Sequence, residues 1–205
     1  MDKISGLLNK LDTSQISDSM GRTGVPRDIY PMNLNLHMAG SAYTVRVSPG
    51  DNLMLHLATK QAKPGDVIVV DGSGLTSVAL WGEMMSLCAK THGIAGIVID
   101  GAVRDSDALS CMDFPVYARG ICPRGPVRVS KGEVNISIQC GGVVVNPGDY
   151  VVGDRDGVVI IPKEKIDAVI DAASSVAKRE EQLKKRIISG EYLLDIFGLE
   201  ELVKK

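Results

Sequence analysis

The sequence predicts an α/β domain over residues 1–162, built on a central mixed or parallel sheet with a barrel-like strand section and followed by a C-terminal helical arm over 163–205. Three observations carry that prediction. Two apolar, β-branched runs, Asp66-Val67-Ile68-Val69-Val70-Asp71 and Gly96-Ile97-Val98-Ile99-Asp100, flank a helical stretch, the pattern of a βαβ unit with parallel, neighbouring strands buried on both faces. Beyond Pro123, short strands alternate with Gly, Pro, Asn and Asp turns, the texture of an antiparallel or barrel-like section. From Lys163 to about Ser189 the apolar spacing is that of one long helix.

In chain order, Ile4, Leu7, Leu8 and Leu11 stand at helical spacing, and a helix start near Asp12-Thr13-Ser14 restarts the helix until Gly21, Gly24 and Pro26 end it. Residues 42–47 alternate as a strand does. Ser48-Pro49-Gly50-Asp51 has the form of a helix start, with Ser as cap, Pro at the first position and an acid three residues on, so a helix is expected to about Gln61. After the strand at 66–71, the loop Gly72-Ser73-Gly74-Leu75-Thr76-Ser77 is expected to lead into a helix from about 78 to 92. The second buried strand is followed by a short helix after Arg104 and a strand around 115–118. Strands are then expected at 127–129, 134–140, 143–145, 150–152 and 157–161. The arm is very polar at Lys178-Arg179-Glu180-Glu181-Gln182-Leu183-Lys184-Lys185-Arg186, whereas Tyr192-Leu193-Leu194-Asp195-Ile196-Phe197-Gly198-Leu199 is apolar enough to need a packing partner.

Composition excludes several function classes. With 205 residues, 44% hydrophobic and 23% charged, the chain can form a core without disulfide staples. Its 23 Lys plus Arg balance 25 Asp plus Glu, which leaves no electrostatic footprint for nucleic acid. No apolar run approaches a membrane span, and the first residues lack a signal-peptide core, so a soluble, cytoplasmic protein is expected. Cys88, Cys111, Cys122 and Cys140 are dispersed, with no zinc-ligand spacing, and read as reduced thiols. His37, His56 and His92 fall in no ligand pattern and receive no role.

Ligands of parallel sheets collect outside the carboxyl ends of the strands. The Gly72-Ser73-Gly74 loop has neither the third glycine of a dinucleotide fingerprint nor the Gly-Lys-Ser/Thr of a P-loop, and reads equally as a structural turn or as an anion cradle. The second strand delivers Arg104 and Asp105 to the same edge. Taken singly, Glu83 reads as a solvated helix acid and Asp105 as a helix cap beside a structural arginine. Together they carry more, because the twenty residues between Glu83 and Arg104 make one helix plus one strand and return both to one rim. Two carboxylates and an arginine there suit a hard divalent cation, Mg2+ or Mn2+, completed by waters and an anionic substrate.

The segments Gly65-Asp66-Val67-Ile68-Val69-Val70-Asp71-Gly72, Ala79-Leu80-Trp81-Gly82-Glu83, Gly96 through Asp105, and Pro147-Gly148-Asp149 with Asp156-Gly157-Val158-Val159 resemble the RraA-like family, which contains 4-hydroxy-4-methyl-2-oxoglutarate aldolase and the ribonuclease E activity regulator A. The similarity spans about 18–199, and the acid, twenty residues, Arg-Asp pattern is its most specific part. The resemblance implies a swivelling β/β/α-type domain and a metal-dependent class II-type pyruvate aldolase. It implies that Asp105 binds the metal directly, that Glu83 holds it through water, and that Gly82, Glu83, Met84 and Met85 bind the substrate carboxylate through their amides. Arg104 would stabilise the enolate oxygen, and Glu180, favoured over Glu181, would come from a neighbouring subunit to serve the C4 hydroxyl.

On this reading the chain cleaves 4-hydroxy-4-methyl-2-oxoglutarate or 4-carboxy-4-hydroxy-2-oxoadipate to pyruvate and a second keto acid, with oxaloacetate decarboxylation as a side activity. The alternatives are a non-catalytic regulator that inhibits a ribonuclease, and an enzyme using the same chemistry on an unrelated keto acid. Regulators of the family resemble a shorter form without the long C-terminal helix, so the arm favours the enzyme. The implied partners are a small 2-keto acid and further copies of the chain, as a homotrimer or dimer of trimers, with no nucleic acid and no membrane.

Overall fold

Val67, Val69 and Val98 are buried on one side of a central sheet, while Ile68, Val70, Ile97 and Ile99 are buried on the other, as uninterrupted β-branched runs require. The structure, a computed structural model, describes residues 3–204. Helices α1 (Lys3–Leu8) and α2 (Thr13–Ser19) open the chain, followed by β1 (Tyr30–Pro31), β2 (Met38–Arg46) and α3 (Leu53–Gln61). Then come β3 (Asp66–Trp81), α4 (Glu83–Thr91), β4 (Gly96–Val103), α5 (Ser106–Cys111) and β5 (Val116–Ile121). The short-strand section holds β6 (Glu133–Val134), β7 (Ile138–Cys140), β8 (Val143–Val145), β9 (Tyr150–Asp154) and β10 (Gly157–Ile161). A 3-10 turn (Lys163–Lys165) leads into α6 (Ile166–Ile188), α7 (Leu193–Ile196) and α8 (Glu200–Val203).

The main sheet runs β1-β5-β4-β3-β2-β9-β10, with β6 also pairing with β2. Strands β2, β3, β4 and β5 are mutually parallel; β1, β6, β9 and β10 join antiparallel, so the sheet is mixed. Leu55 and Ala58 of α3, Ala89 of α4 and Leu109 of α5 cover one face. The β7–β8 hairpin covers part of the other through Ile138, Cys140 and Val145. A third cluster joins Leu8, Leu11 and Ile16 to Val152, Val159 and Ile161 and to Ile166, Val169 and Ala173 of α6. The first half of α6 therefore packs on its own domain, while no residue from 174 onward among those described is fully buried. Among the described residues no helix is long and apolar enough to cross a membrane.

Five expectations need correction. Strand β3 continues to Trp81 and the helix begins only at Glu83, because Ala79 and Trp81 pair with Ala102 and Val103 after register shifts, and burial of Ala79, Leu80 and Trp81 overrides their helical propensity. The glycine loop therefore opens no helix; Gly74 lies beside the Arg119 and Asp100 side chains. Helix α3 starts at Leu53 rather than after Ser48, since Asp51 turns its buried carboxylate to the amides of Leu53, Val129 and Ser130. The expected strand at 127–129 is reduced to one bridge from Val127 to Asp51, and 134–140 divides at Asn135, whose φ is 55°. The turn around Asp149 is structural: this buried carboxylate accepts from Asn146 N at 2.7 Å and Lys163 N at 3.1 Å.

Candidate functional site

Strands β3 and β4 end side by side, with Trp81 opposite Val103 and the Arg104 amide donating to Trp81 O at 3.0 Å. That pairing brings the next residues, Gly82 on one strand end and Arg104 and Asp105 on the other, to one rim. Gly82 caps α4 in extended backbone, φ −171°. A side chain there would run into Asp105 Oδ2, so only glycine lets the carboxylate lie against the helix start. Asp105 Oδ2 accepts a hydrogen bond from Glu83 N at 3.1 Å. The positive end of α4 favours this charge, which also satisfies one of the amides that every helix start leaves unpaired.

Asp105 is held in the left-handed region, φ 58° and ψ 41°, at a cost of about 1–2 kcal/mol for a residue with a Cβ. Arg22, Asp28, Ser73 and Asn135 share this backbone region, so what sets Asp105 apart is its place on the edge of a cleft. Its Oδ1 accepts no hydrogen bond among the described residues and stays available. Arg104 Nε lies 3.7 Å from Asp105 Oδ2, both side chains nearly half exposed, so this pair adds little stability and leaves the guanidinium free to meet an anion. Gly125 makes room for that guanidinium, since a Cβ there would stand 2.9 Å from Arg104 Nη1.

A cleft of about 160 Å³ runs along this rim, lined by Gly82, Met84, Met85, Arg104 and Asp105 and by three residues that the sequence did not single out for function, Asn52, His56 and Arg128. Asn52 is buried; its Nδ2 donates to Leu80 O at 2.9 Å and to Met85 Sδ at 3.3 Å. The 126–130 segment that carries Arg128 is pinned by Asp51, whose Oδ2 accepts from Val129 N and Ser130 N at 2.7 Å each. Burial by itself would raise Asp51, but those amides outweigh it and hold it below the ordinary carboxylate range. His56 lies below the usual imidazole value, first through partial desolvation and then through the charge of Arg128. These residues arrive from α3 and from a loop that meets the strand ends only in three dimensions. The one signal in the sequence was the run of cations among glycine and prolines in Pro123-Arg124-Gly125-Pro126-Val127-Arg128.

Glu83 lends its amide to the rim, while its carboxylate makes no hydrogen bond or ion pair among the described residues. Glu180 is not brought to the rim of its own chain. It accepts from Gln15 Nε2 at 2.7 Å and lines a separate cleft of about 590 Å³ with Asp18, Arg22, Arg179 and Phe197. Glu181 points elsewhere and pairs with Lys184 at 2.8 Å.

No group of three or more His, Cys, Asp or Glu side chains that could cage a metal occurs among the described residues. The rim instead offers the unpaired Asp105 Oδ1, while of Glu83 the amide is what meets Asp105. That donor set fits Mg2+ or Mn2+, which keep several waters and need one or two carboxylates plus substrate oxygens; it does not fit a nitrogen- and sulfur-ligated zinc.

The family model described as RraA-like, Aldolase/RraA, matches residues 13–160. A relative from Halalkalibacterium halodurans, provisionally named a 4-hydroxy-4-methyl-2-oxoglutarate aldolase, is 39% identical over 94% of this chain and 92% of its own. The structure of the RNA-processing inhibitor RraA from Thermus thermophilus superimposes with a TM-score of 0.68 at 30% identity, covering 74% of this chain and 93% of that one. Streptomyces coelicolor RraAS2, described as an unusual member of the RNase ES inhibitor RraA family, gives a TM-score of 0.80 at 25% identity, covering 91% of this chain and 98% of its own.

Proposed function

Because the chain belongs to the RraA-like family of aldolases and RraA proteins, we propose that it is a divalent-metal-dependent pyruvate aldolase that cleaves 4-hydroxy-4-methyl-2-oxoglutarate or 4-carboxy-4-hydroxy-2-oxoadipate and decarboxylates oxaloacetate. The observation that carries this reading is the convergence of the α4 amides, Arg104 and the strained Asp105 on one strand-end rim. Free amides at the start of α4, those of Met84 and Met85 foremost, bind the carboxylate of a 2-keto acid. Asp105 holds the cation directly and Glu83 holds it through water. When bound, Mg2+ or Mn2+ supplies Lewis-acid polarisation of the keto group.

Breaking the C3–C4 bond moves an electron pair toward the keto oxygen, and the Arg104 guanidinium stabilises the charge that develops there. In aldol cleavage the C4 hydroxyl gives up its proton and C4 becomes the carbonyl of the second product; C3 takes a proton to complete pyruvate. Glu180 from a neighbouring copy receives the hydroxyl proton; in its own chain it lies away from the rim, beside Gln15. Oxaloacetate loses CO2 through the same bond cleavage with no hydroxyl proton to remove. The exposed apolar surface of the arm, Tyr192, Leu194 and Phe197 among it, supports assembly as a trimer or dimer of trimers.

The second reading, a ribonuclease inhibitor, is supported by the two RraA structures. The length of the arm does not separate the readings, because Streptomyces coelicolor RraAS2 matches 91% of this chain while the Thermus thermophilus inhibitor matches 74%. The test follows pyruvate release, coupled to lactate dehydrogenase, from each candidate keto acid with Mg2+, with Mn2+ and with excess chelator. Metal-dependent release supports the aldolase. Absence of cleavage together with stoichiometric inhibition of a ribonuclease selects the regulator.

A further inference from the structure

Asn52 stands at the N-cap of α3, where an asparagine side chain ordinarily accepts a hydrogen bond from the first turn. It makes no such bond; Asp51 Oδ1 takes the Leu53 amide instead, at 2.8 Å. The side chain turns toward the cleft, and its orientation is fixed by its donor end. Nδ2 must face the Leu80 carbonyl, at 2.9 Å, so Oδ1 points the other way. That oxygen is buried and has no partner among the described residues, although Asn52 as a whole is only 3% exposed. A buried acceptor without a donor destabilises the fold, and native proteins leave such groups where a ligand or an ordered water completes them. Asn52 is also a wall of the same cleft as Gly82, Arg104 and Asp105.

We propose that Asn52 is a ligand-binding residue of this cleft, its Oδ1 accepting a hydrogen bond from an O–H group that the bound substrate brings with it. The inference rests on the aldolase reading of the Arg104–Asp105 rim. A 2-keto acid carries only acceptors at its carboxylate and keto oxygen, so the donor has two sources: the C4 hydroxyl of an aldol substrate, or a water ordered beside it. Asn52 is neutral and takes no proton; it orients the O–H in the bound substrate, and because a C4 hydroxyl has one hydrogen, its bond to Oδ1 is given up as that proton passes to Glu180 in the cleavage step. The consequence is specificity for hydroxyl-bearing keto acids, because a ligand without the donor leaves Oδ1 unpaired in the closed site.

The test compares Asn52→Leu and Asn52→Ala with the unaltered chain in aldol cleavage, in oxaloacetate decarboxylation, in Mn2+ affinity and in melting temperature. Cleavage is expected to fall roughly 10- to 100-fold in kcat/KM per folded protein; because both variants also remove the Nδ2 donor from Leu80 O, the melting temperature is expected to fall by about 2–8 °C, a loss that leaves the variants folded at the assay temperature. Loss confined to aldol cleavage assigns the donor to the C4 hydroxyl, since oxaloacetate has none. Equal loss of both reactions with weaker Mn2+ binding assigns it to ordered water. Unchanged turnover in folded variants, or loss only in proportion to unfolded protein, overturns the proposal.

A second measurement needs no variant: as inhibitors of oxaloacetate decarboxylation, 4-hydroxy-2-oxobutanoate should bind about tenfold tighter than 2-oxobutanoate if the hydroxyl is the donor. Equal inhibition by the two removes that source. An unaltered chain that turns over no keto acid removes the aldolase reading and this assignment with it, whereas active Asn52 variants remove this assignment alone.

Discussion

Gly82→Ala is the smallest change that tests the geometry of the rim. A methyl group built on Gly82 overlaps Asp105 Oδ2 and comes within 3.1 Å of Arg104 Cγ and 3.4 Å of Asp105 Cγ. An ordinary carbon–oxygen contact needs about 3.3–3.6 Å, so the carboxylate must retreat by about 1 Å. The retreat breaks its hydrogen bond to Glu83 N, now 3.1 Å, and moves the carboxylate proposed to hold the metal away from the amides that would hold the substrate. A misplacement of that size costs on the order of 100-fold in rate, about 2.7 kcal/mol. Backbone strain contributes nothing, because φ at Gly82 is −171° and alanine adopts that conformation freely. The expected outcome in the lactate dehydrogenase-coupled assay at saturating Mg2+ is therefore a roughly 100-fold fall in kcat/KM with a melting temperature close to that of the unaltered chain. Turnover within threefold would refute the claim that the closeness of Gly82 to Asp105 is a catalytic requirement.

Four further outcomes follow from the same coordinates. Asp105→Gly relieves left-handed strain of about 1–2 kcal/mol but removes the acceptor of Glu83 N at the start of α4, worth about 0.5–2 kcal/mol, so stability in urea titration should change by less than about 1.5 kcal/mol while turnover is abolished; retained turnover would remove the carboxylate from the site. Asp51→Asn should cost about 1.5–3 kcal/mol by removing a charged acceptor from three amides. Since the folded-state pKa of Asp51 is lowered, its contribution is complete above the unfolded value near 3.9 and is lost as pH falls through the folded value, so Asp51→Asn should flatten the acid limb of the stability curve. Arg128→Ala removes a charge that depresses His56, and the imidazole titration followed by NMR should move up toward its ordinary value without fully reaching it, because desolvation is the larger cause; an unmoved titration would separate the two side chains. Glu180→Gln should impair aldol cleavage and spare decarboxylation, whereas Glu181→Gln should spare both; equal loss of both reactions in Glu180→Gln would count against its role at the hydroxyl.

The parts of the fold that were legible are those whose burial is written in local composition. The runs at 66–71 and 96–100 are buried on both faces, and the polar stretch at 178–186 is exposed apart from half-buried Glu180 and Leu183, so strands and arm follow the periodicity. The helix misplaced at 78 marks the limit. Ala79-Leu80-Trp81 suits a helix locally, yet the edge of β4 offers Ala102 and Val103 as pairing partners, a long-range gain that no local window contains. The same holds for the site. Glu83, Arg104 and Asp105 could be associated because a βαβ unit returns its strand ends to one edge, and the structure brings the Glu83 amide to Asp105. Asn52, His56 and Arg128 reach that edge through α3 and a loop held by Asp51, contacts whose partners lie up to 79 residues apart. Glu180 does not reach that edge in its own chain, where it accepts a hydrogen bond from Gln15 Nε2.

The central claim is that the Arg104–Asp105 rim is a catalytic centre for carbon–carbon cleavage, and paired substitution tests it most directly. Purified Arg104→Ala and Asp105→Ala, each shown to be folded by its melting curve, are compared with the unaltered chain for pyruvate release from 4-hydroxy-4-methyl-2-oxoglutarate and from oxaloacetate at saturating Mg2+. Both reactions should fall by at least about 100-fold in each variant, because both place developing charge at the same position. Pyruvate release that persists within threefold in both variants would contradict the account.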